Sequence, residues 1–167
     1  MELHDPTRRH AGWSLMAAAA AAALYAGFRF NECLGTDLVL AREPASVALG
    51  WLQLLNSKRT PAVTIMVSLS LVTGVIAVRR AQPRRTAALG LSLLLVEDVL
   101  TAVHVPLVLL LQGLAPEAAP VDWGWLRTRY VLDDVVRTAL LAAAAIAFIG
   151  AGIRNIESAS HLRPEKP

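Results

Sequence analysis

Four long apolar runs lie between Gly12 and Ile153, and seven acidic, basic or imidazole side chains interrupt them. They are Arg29, Glu97, Asp98, His104, Asp133, Asp134 and Arg137, with Glu32 at the edge of the first run. Bilayer hydrocarbon holds no water, so an ionisable group there costs roughly 2.5–3.5 kcal/mol even on insertion scales. Such groups persist where they pair with one another, line a wet cavity or bind a ligand. The pattern therefore predicts a polytopic membrane protein with a polar constellation inside its bundle, and any specific function is expected there.

The runs have the length of about 20 residues needed to cross hydrocarbon ~30 Å thick at 1.5 Å per residue. They predict an all-α, four-helix transmembrane bundle with spans at 13–33, 61–78, 86–111 and 125–153. Residues 1–12 form an N-terminal arm and residues 154–167 a tail. Arg8 and Arg9 precede the first run, as in a signal peptide. That run, however, continues past the alanine tract 17–23 through Leu24, Tyr25 and Phe28, so it is expected to stay as a membrane helix. The chain has 167 residues and a mean hydropathy of +0.49, which suits one bundle without a second domain. Its net charge of +3 does not argue for nucleic acid, because the arginines cluster between spans, where topology accounts for them. Cys33 is the only cysteine, so neither an internal disulfide nor a thiolate cluster can form.

Orientation follows from the basic residues. With four spans, the N-terminal arm, the connector at 79–85 and the tail share one side and hold nine Lys/Arg. The other side has Arg42, Lys58, Arg59, Arg127 and Arg129. The positive-inside rule then places both termini in the cytoplasm of a multi-pass plasma-membrane protein. In the first outer loop, residues 45–56 set Val47, Trp51, Leu54 and Leu55 at helical spacing. This predicts a short interfacial helix anchored by Trp51, either a spacer or a lid, with Pro61 in the first turn of the next span.

Depth gathers the ionisable residues. His104, Asp133 and Arg29 fall roughly 9 Å outward of their span centres, and Glu97, Asp98 and Arg137 lie near the midplane. Glu97, Thr101 and His104 stack at i, i+4, i+7 on the third helix. Arg137 follows Asp133 or Asp134 at i+4 or i+3, and Glu32 follows Arg29 at i+3. Asp98 points about 100° from Glu97, so one of the two faces a different neighbour. Five carboxylates then meet two arginines, an excess that demands protonated carboxyls or a cation. His104 with Glu97 forms a candidate metal pair, of a kind suited to iron, manganese or zinc. The alternative is that these residues are buried ion pairs fixing helix register, with His104 donating to a carbonyl that Pro106 leaves unpaired.

The order of features resembles the anthrone oxygenase-like integral membrane proteins, over roughly residues 23–153. Leu24-Tyr25-Ala26-Gly27, Gln53 with Asn56, Thr101 with Val105-Pro106, and Arg129-Tyr130 with Arg137-Thr138 are similar to that family's motifs. Asp134 stands where the family carries a histidine and Val108 where it carries an asparagine. His104 offers an imidazole from the opposite helix. The resemblance implies a membrane-embedded, oxygenase-like oxidoreductase acting on a lipophilic aromatic or quinol-type molecule in an outward-facing pocket. Arg137, Asp134, Asp133 and His104 are then the expected catalytic residues, and Arg29, Glu32, Asn56, Thr101 and Arg129 the substrate contacts. The cofactor is either none or a single metal ion. The expected partners are the lipid bilayer and a lipophilic small molecule, with homo-oligomers allowed by Gly90, Gly150 and Gly152 and no nucleic acid. A proton- or cation-coupled carrier and a non-catalytic assembly subunit are the competing readings.

Overall fold

Every apolar run forms a helix, and the helices continue beyond the runs at both ends. The computed structural model describes residues 6–37, 42–81, 84–115 and 122–160. Helix α1 is Pro6–Glu32, continued by a π-helical stretch at Cys33–Asp37; α2 is Ala45–Arg80, α3 Arg84–Gln112 and α4 Trp123–Ser160. Four segments within them are long and apolar enough to cross a membrane: His10–Thr36, Thr60–Arg80, Arg84–Gln112 and Trp123–Glu157. The described residues form an all-α architecture of four long apolar helices, as the sequence predicts.

The helices stand in a ring. Helix α1 packs against α2 and α4, and α3 packs against the same two, so α1 faces α3 across the diagonal. The α1–α4 contact is the most extensive. Ala18, Ala19 and Ala22 of α1 share one buried cluster with Ala144, Ala145 and Ala151 of α4. Without a hydrophobic drive between helices in lipid, close approach of small side chains is what makes such a pair adhere.

The loop helix differs from expectation in two ways. Residues 45–55 are helical, but they run without a break into the following span as one helix, α2. Pro61 therefore sits inside a helix rather than in a first turn. It removes one backbone donor, a loss membrane helices tolerate when neighbours pack around them. The buried face is also not the one expected: Ala48, Leu49 and Leu52 are at most 1% exposed, whereas Val47, Trp51 and Leu54 point outward. The segment is apolar on more than one side, so periodicity alone could not choose which side packs.

The bundle is layered along its axis. At one end Leu15, Leu94, Leu141 and Phe148 fill the centre among the alanines. At the other end Leu49, Leu52, Leu111 and Tyr130 make a smaller apolar cap. Gly90 belongs to the first layer: a methyl group on it would lie 3.0 Å from the Phe148 ring. Its close approach is thus an intrachain one. Between the two apolar layers lies the polar one.

Candidate functional site

Helix periodicity places the polar side chains on inner faces. On α3 the buried positions are Ala87, Gly90, Leu94, Glu97, His104 and Leu111, steps of three, four and seven. On α4 Tyr130, Asp134, Arg137, Leu141 and Phe148 follow the same rule. On α1 and its π-helical continuation, Tyr25, Arg29, Glu32 and Thr36 are buried in turn. Three helices therefore deliver their ionisable residues to one level.

Two arginines organise that level. The Arg29 guanidinium lies 3.2 Å from Glu32 Oε2, 3.5 Å from Asp134 Oδ1 and 3.8 Å from Glu97 Oε1. Arg137 donates to Asp134 Oδ1 along the same helix, so Asp134 bridges both cations. Hydroxyls complete the links. Tyr25 donates to Glu97 Oε1 at 3.3 Å and accepts from Arg29 at 3.4 Å. Thr101 donates to the same Glu97 oxygen at 2.8 Å and accepts from Arg137 at 3.4 Å. Each hydroxyl thus joins an arginine to one carboxylate, an economical use of groups that both donate and accept. Arg137 Nε also donates to the carbonyl of Asp133, and Thr138 lies beside Cys33 Sγ at 3.4 Å.

His104 stands at the edge of this network. Its Nδ1 is 3.0 Å from Asp133 Oδ2, and its ring packs 4.8 Å from that of Tyr130. A carboxylate at Nδ1 selects the tautomer with the proton there, which leaves Nε2 as the acceptor. Nε2 is buried and has no hydrogen-bond partner among the described residues. Arg29 Nε and Glu97 Oε2 are in the same condition.

These groups surround a cavity of about 200 Å³. Arg29, Glu32, Thr101, His104 and Arg137 supply its polar side; Val63, Val105, Val108 and the Tyr130 ring supply apolar wall, with Thr60 and Thr64 of α2. The cavity thus involves all four helices.

No family model, characterised protein or solved structure matches this chain. What the site can do must therefore follow from its own chemistry.

Most of the residues expected from sequence meet here. Arg29, Glu32, Thr101, His104 and Arg137 line the cavity, and Asp133 and Asp134 hold His104 and the two arginines. The structure also separates residues that sequence left paired. Asp134 is the inward aspartate at 2% exposure, while Asp133 is partly exposed at the α3–α4 edge. Glu97 is fully buried and Asp98 is not.

Three expectations change. Arg129 lies over the exposed Trp125 ring at 5.4 Å, away from the cavity, because it is one residue, or 100°, off the inner face that Tyr130 occupies. His104 pairs with Asp133 and does not cap a carbonyl near Pro106. Glu97 and His104 do not form a ligand pair, since Glu97 is held by Tyr25 and Thr101 while His104 is held by Asp133. Among the described residues no three His, Cys, Asp or Glu side chains converge, and two guanidiniums stand where a cation would bind. The site does not fit a metal. The side chain of Asn56 lies outside the described residues.

Tyr25 and Tyr130 are site residues that the sequence did not single out, although both lie within the motifs named above. A signal was present. Tyr25 precedes Arg29 by four residues, and Tyr130 precedes Asp134 by four, so each shares a face with an ionisable group.

Proposed function

We propose that this protein binds a lipophilic molecule bearing a weakly acidic hydroxyl or enolisable C–H, of phenol, quinol or anthrone type, and acts on it as an oxygenase-like oxidoreductase. The observation that carries this reading is the His104–Asp133 pair: the buried His104 Nε2 has no hydrogen-bond partner among the described residues and belongs to the same cavity as Arg137 and Arg29. Such a dyad accepts a proton at Nε2 while the carboxylate steadies the imidazolium, the logic of base-plus-orienter pairs. The arginines, which stay protonated, stabilise the resulting oxyanion in a site of low dielectric. The electron-rich anion then reduces molecular oxygen. In an anthrone the ring CH₂ plus O₂ becomes C=O plus H₂O, with one oxygen atom retained and the other leaving as water. The sequence resemblance to anthrone oxygenase-like proteins supports the same reaction class.

Both termini lie in the cytoplasm and the polar layer in the outer half of the bilayer, because the basic connectors belong to the opposite end. The segment Ala45–Leu55 then rests at the outer interface with Trp51 outward. A carrier is less well supported: among the described residues the apolar layer buries Ser14 and Ser70 but no ionisable side chain.

Oxygen uptake by the protein in nanodiscs, with anthrone as the probe, tests the proposal. Wild type is expected to consume one O₂ per anthrone, and His104→Ala to slow turnover by roughly 10²–10⁴-fold, the usual worth of a general base. Absence of uptake in wild type, or unchanged rates in the variant, would refute it.

A further inference from the structure

We infer that the ligand enters from the hydrocarbon phase through a side window between α2 and α3, and that it is a hydroxyl-bearing ring with an apolar tail. The inference rests on reading the cavity as a binding site. Helices α2 and α3 make contact on both sides of the cavity. Toward the alanine-rich end, a methyl group on Gly74 of α2 would lie 3.3 Å from Leu91 and 3.4 Å from Leu94 of α3. Toward the other end, Leu49 and Leu52 pack with Leu111, and Gln53 Nε2 donates to the carbonyls of Leu111 at 3.1 Å and Leu114 at 2.7 Å. Between these contacts the two helices border the cavity with Thr60, Thr64 and Val105, which are the exposed members of its lining. The residues deepest in it, Arg29, His104 and Arg137, are buried. The mouth is therefore lateral, while the apolar cap of Leu49, Leu52, Leu111 and Tyr130 closes the end of the bundle.

Position and size then choose the ligand. Thr60 and Thr64 begin the segment of α2 that is long and apolar enough to cross a membrane, and Val105 lies within that of α3, so the rim falls at the level where the bundle would meet lipid chains. A volume of about 200 Å³ is below the ~300–1,000 Å³ of pockets that enclose a whole drug-sized ligand. The cavity holds a head of about one ring and leaves the rest of the molecule in the window, against Val105 and Val108. Charge selects the head. Glu32, Glu97 and Asp134 already surround Arg29 and Arg137, so the site has no surplus positive charge for a phosphate or a carboxylate. A neutral hydroxyl that donates to His104 Nε2 fits, and it gains the arginines only as its proton moves.

The test uses the full chain in nanodiscs with Cys33→Ser and Thr64→Cys, carrying a nitroxide at position 64. Collision with dissolved oxygen is expected to exceed collision with a water-soluble nickel chelate severalfold. Added 4-nonylphenol is expected to immobilise the label saturably, whereas decyl phosphate and myristate leave it unchanged. The same label at Ile65, on the outer surface of α2, serves as the control and stays mobile. Loss of the acceptor in His104→Leu is expected to weaken the nonylphenol effect roughly tenfold. Dominant collision with the chelate would overturn the lateral mouth. Immobilisation by phosphate or myristate, or by none of the three probes, would overturn the head-group assignment. Oxygen access and nonylphenol binding without anthrone turnover would uphold the window and remove only the oxygenase reading.

Discussion

The two ends of this bundle are built by opposite means. The layer around Phe148 and the 17–23 tract excludes every buried ionisable group among the described residues and holds its helices by close contact of alanine, glycine and a few large side chains. The layer around Arg137 sets two buried arginines among three carboxylates, with hydroxyls joining them. In lipid, apolar packing gains only dispersion, so the first layer depends on shape. The second depends on the pairing of opposite charges, because an unpaired charge there has no water to turn to. A tightly packed half thus acts as a frame for a half whose charges would otherwise be costly. That contrast also explains why the cavity lies in the polar layer: guanidiniums and carboxylates meet at their tips, and long side chains meeting at their tips leave space that alanines do not.

The sharpest way to break this contrast is to unbalance the polar layer. Arg137→Leu removes one partner of Asp134 and is expected to cost about 3–5 kcal/mol, read by reversible unfolding in mixed micelles. The double variant Arg137→Leu, Asp134→Leu should recover most of that loss while leaving the cavity inactive. If the single and double variants are equally stable, the layer is not held by pairing. The apolar layer is probed by Gly90→Ala, whose new methyl would meet the fully buried Phe148 ring at 3.0–3.1 Å. We expect a loss of about 1–3 kcal/mol by overpacking, with cavity binding retained. A stabilised Gly90→Ala protein would mean that Phe148 yields and the layer is not shape-limited. The smallest effect is expected at the cap. Gln53→Leu frees the carbonyls of Leu111, at the end of α3, and Leu114, just beyond it, at about 1 kcal/mol, and should raise hydrogen exchange at Gly113 and Leu114 without changing exchange in 87–97. Equal exchange throughout α3 would show that Gln53 does not fasten the loop helix to the bundle.

Most of the candidate site was legible before the fold was. Ionisable residues inside apolar runs are conspicuous because the membrane penalises them, and helical spacing alone grouped Glu97 with Thr101 and His104, and Arg29 with Glu32. Arg129 was misplaced because a short motif carries no angle, and one residue along a helix turns a side chain by 100°. The cap was misread for a related reason. Residues 45–55 are apolar at Val47, Leu49, Trp51 and Leu52 together, so more than one face could have packed inward.

The sequence by itself determined the four helices, their apolar character and the level at which polar groups gather, because these depend on run length, rise per residue and the exclusion of water. Only the tertiary structure decided which carboxylates meet which cations. Asp134 bridges both arginines and Asp133 turns to His104, although the two are adjacent in the chain and identical in chemistry. The physical reason is that pairing across helices depends on their order around the ring and their rotation within it. Those are set by the alanine and glycine contacts of the other layer, far from the charges in sequence.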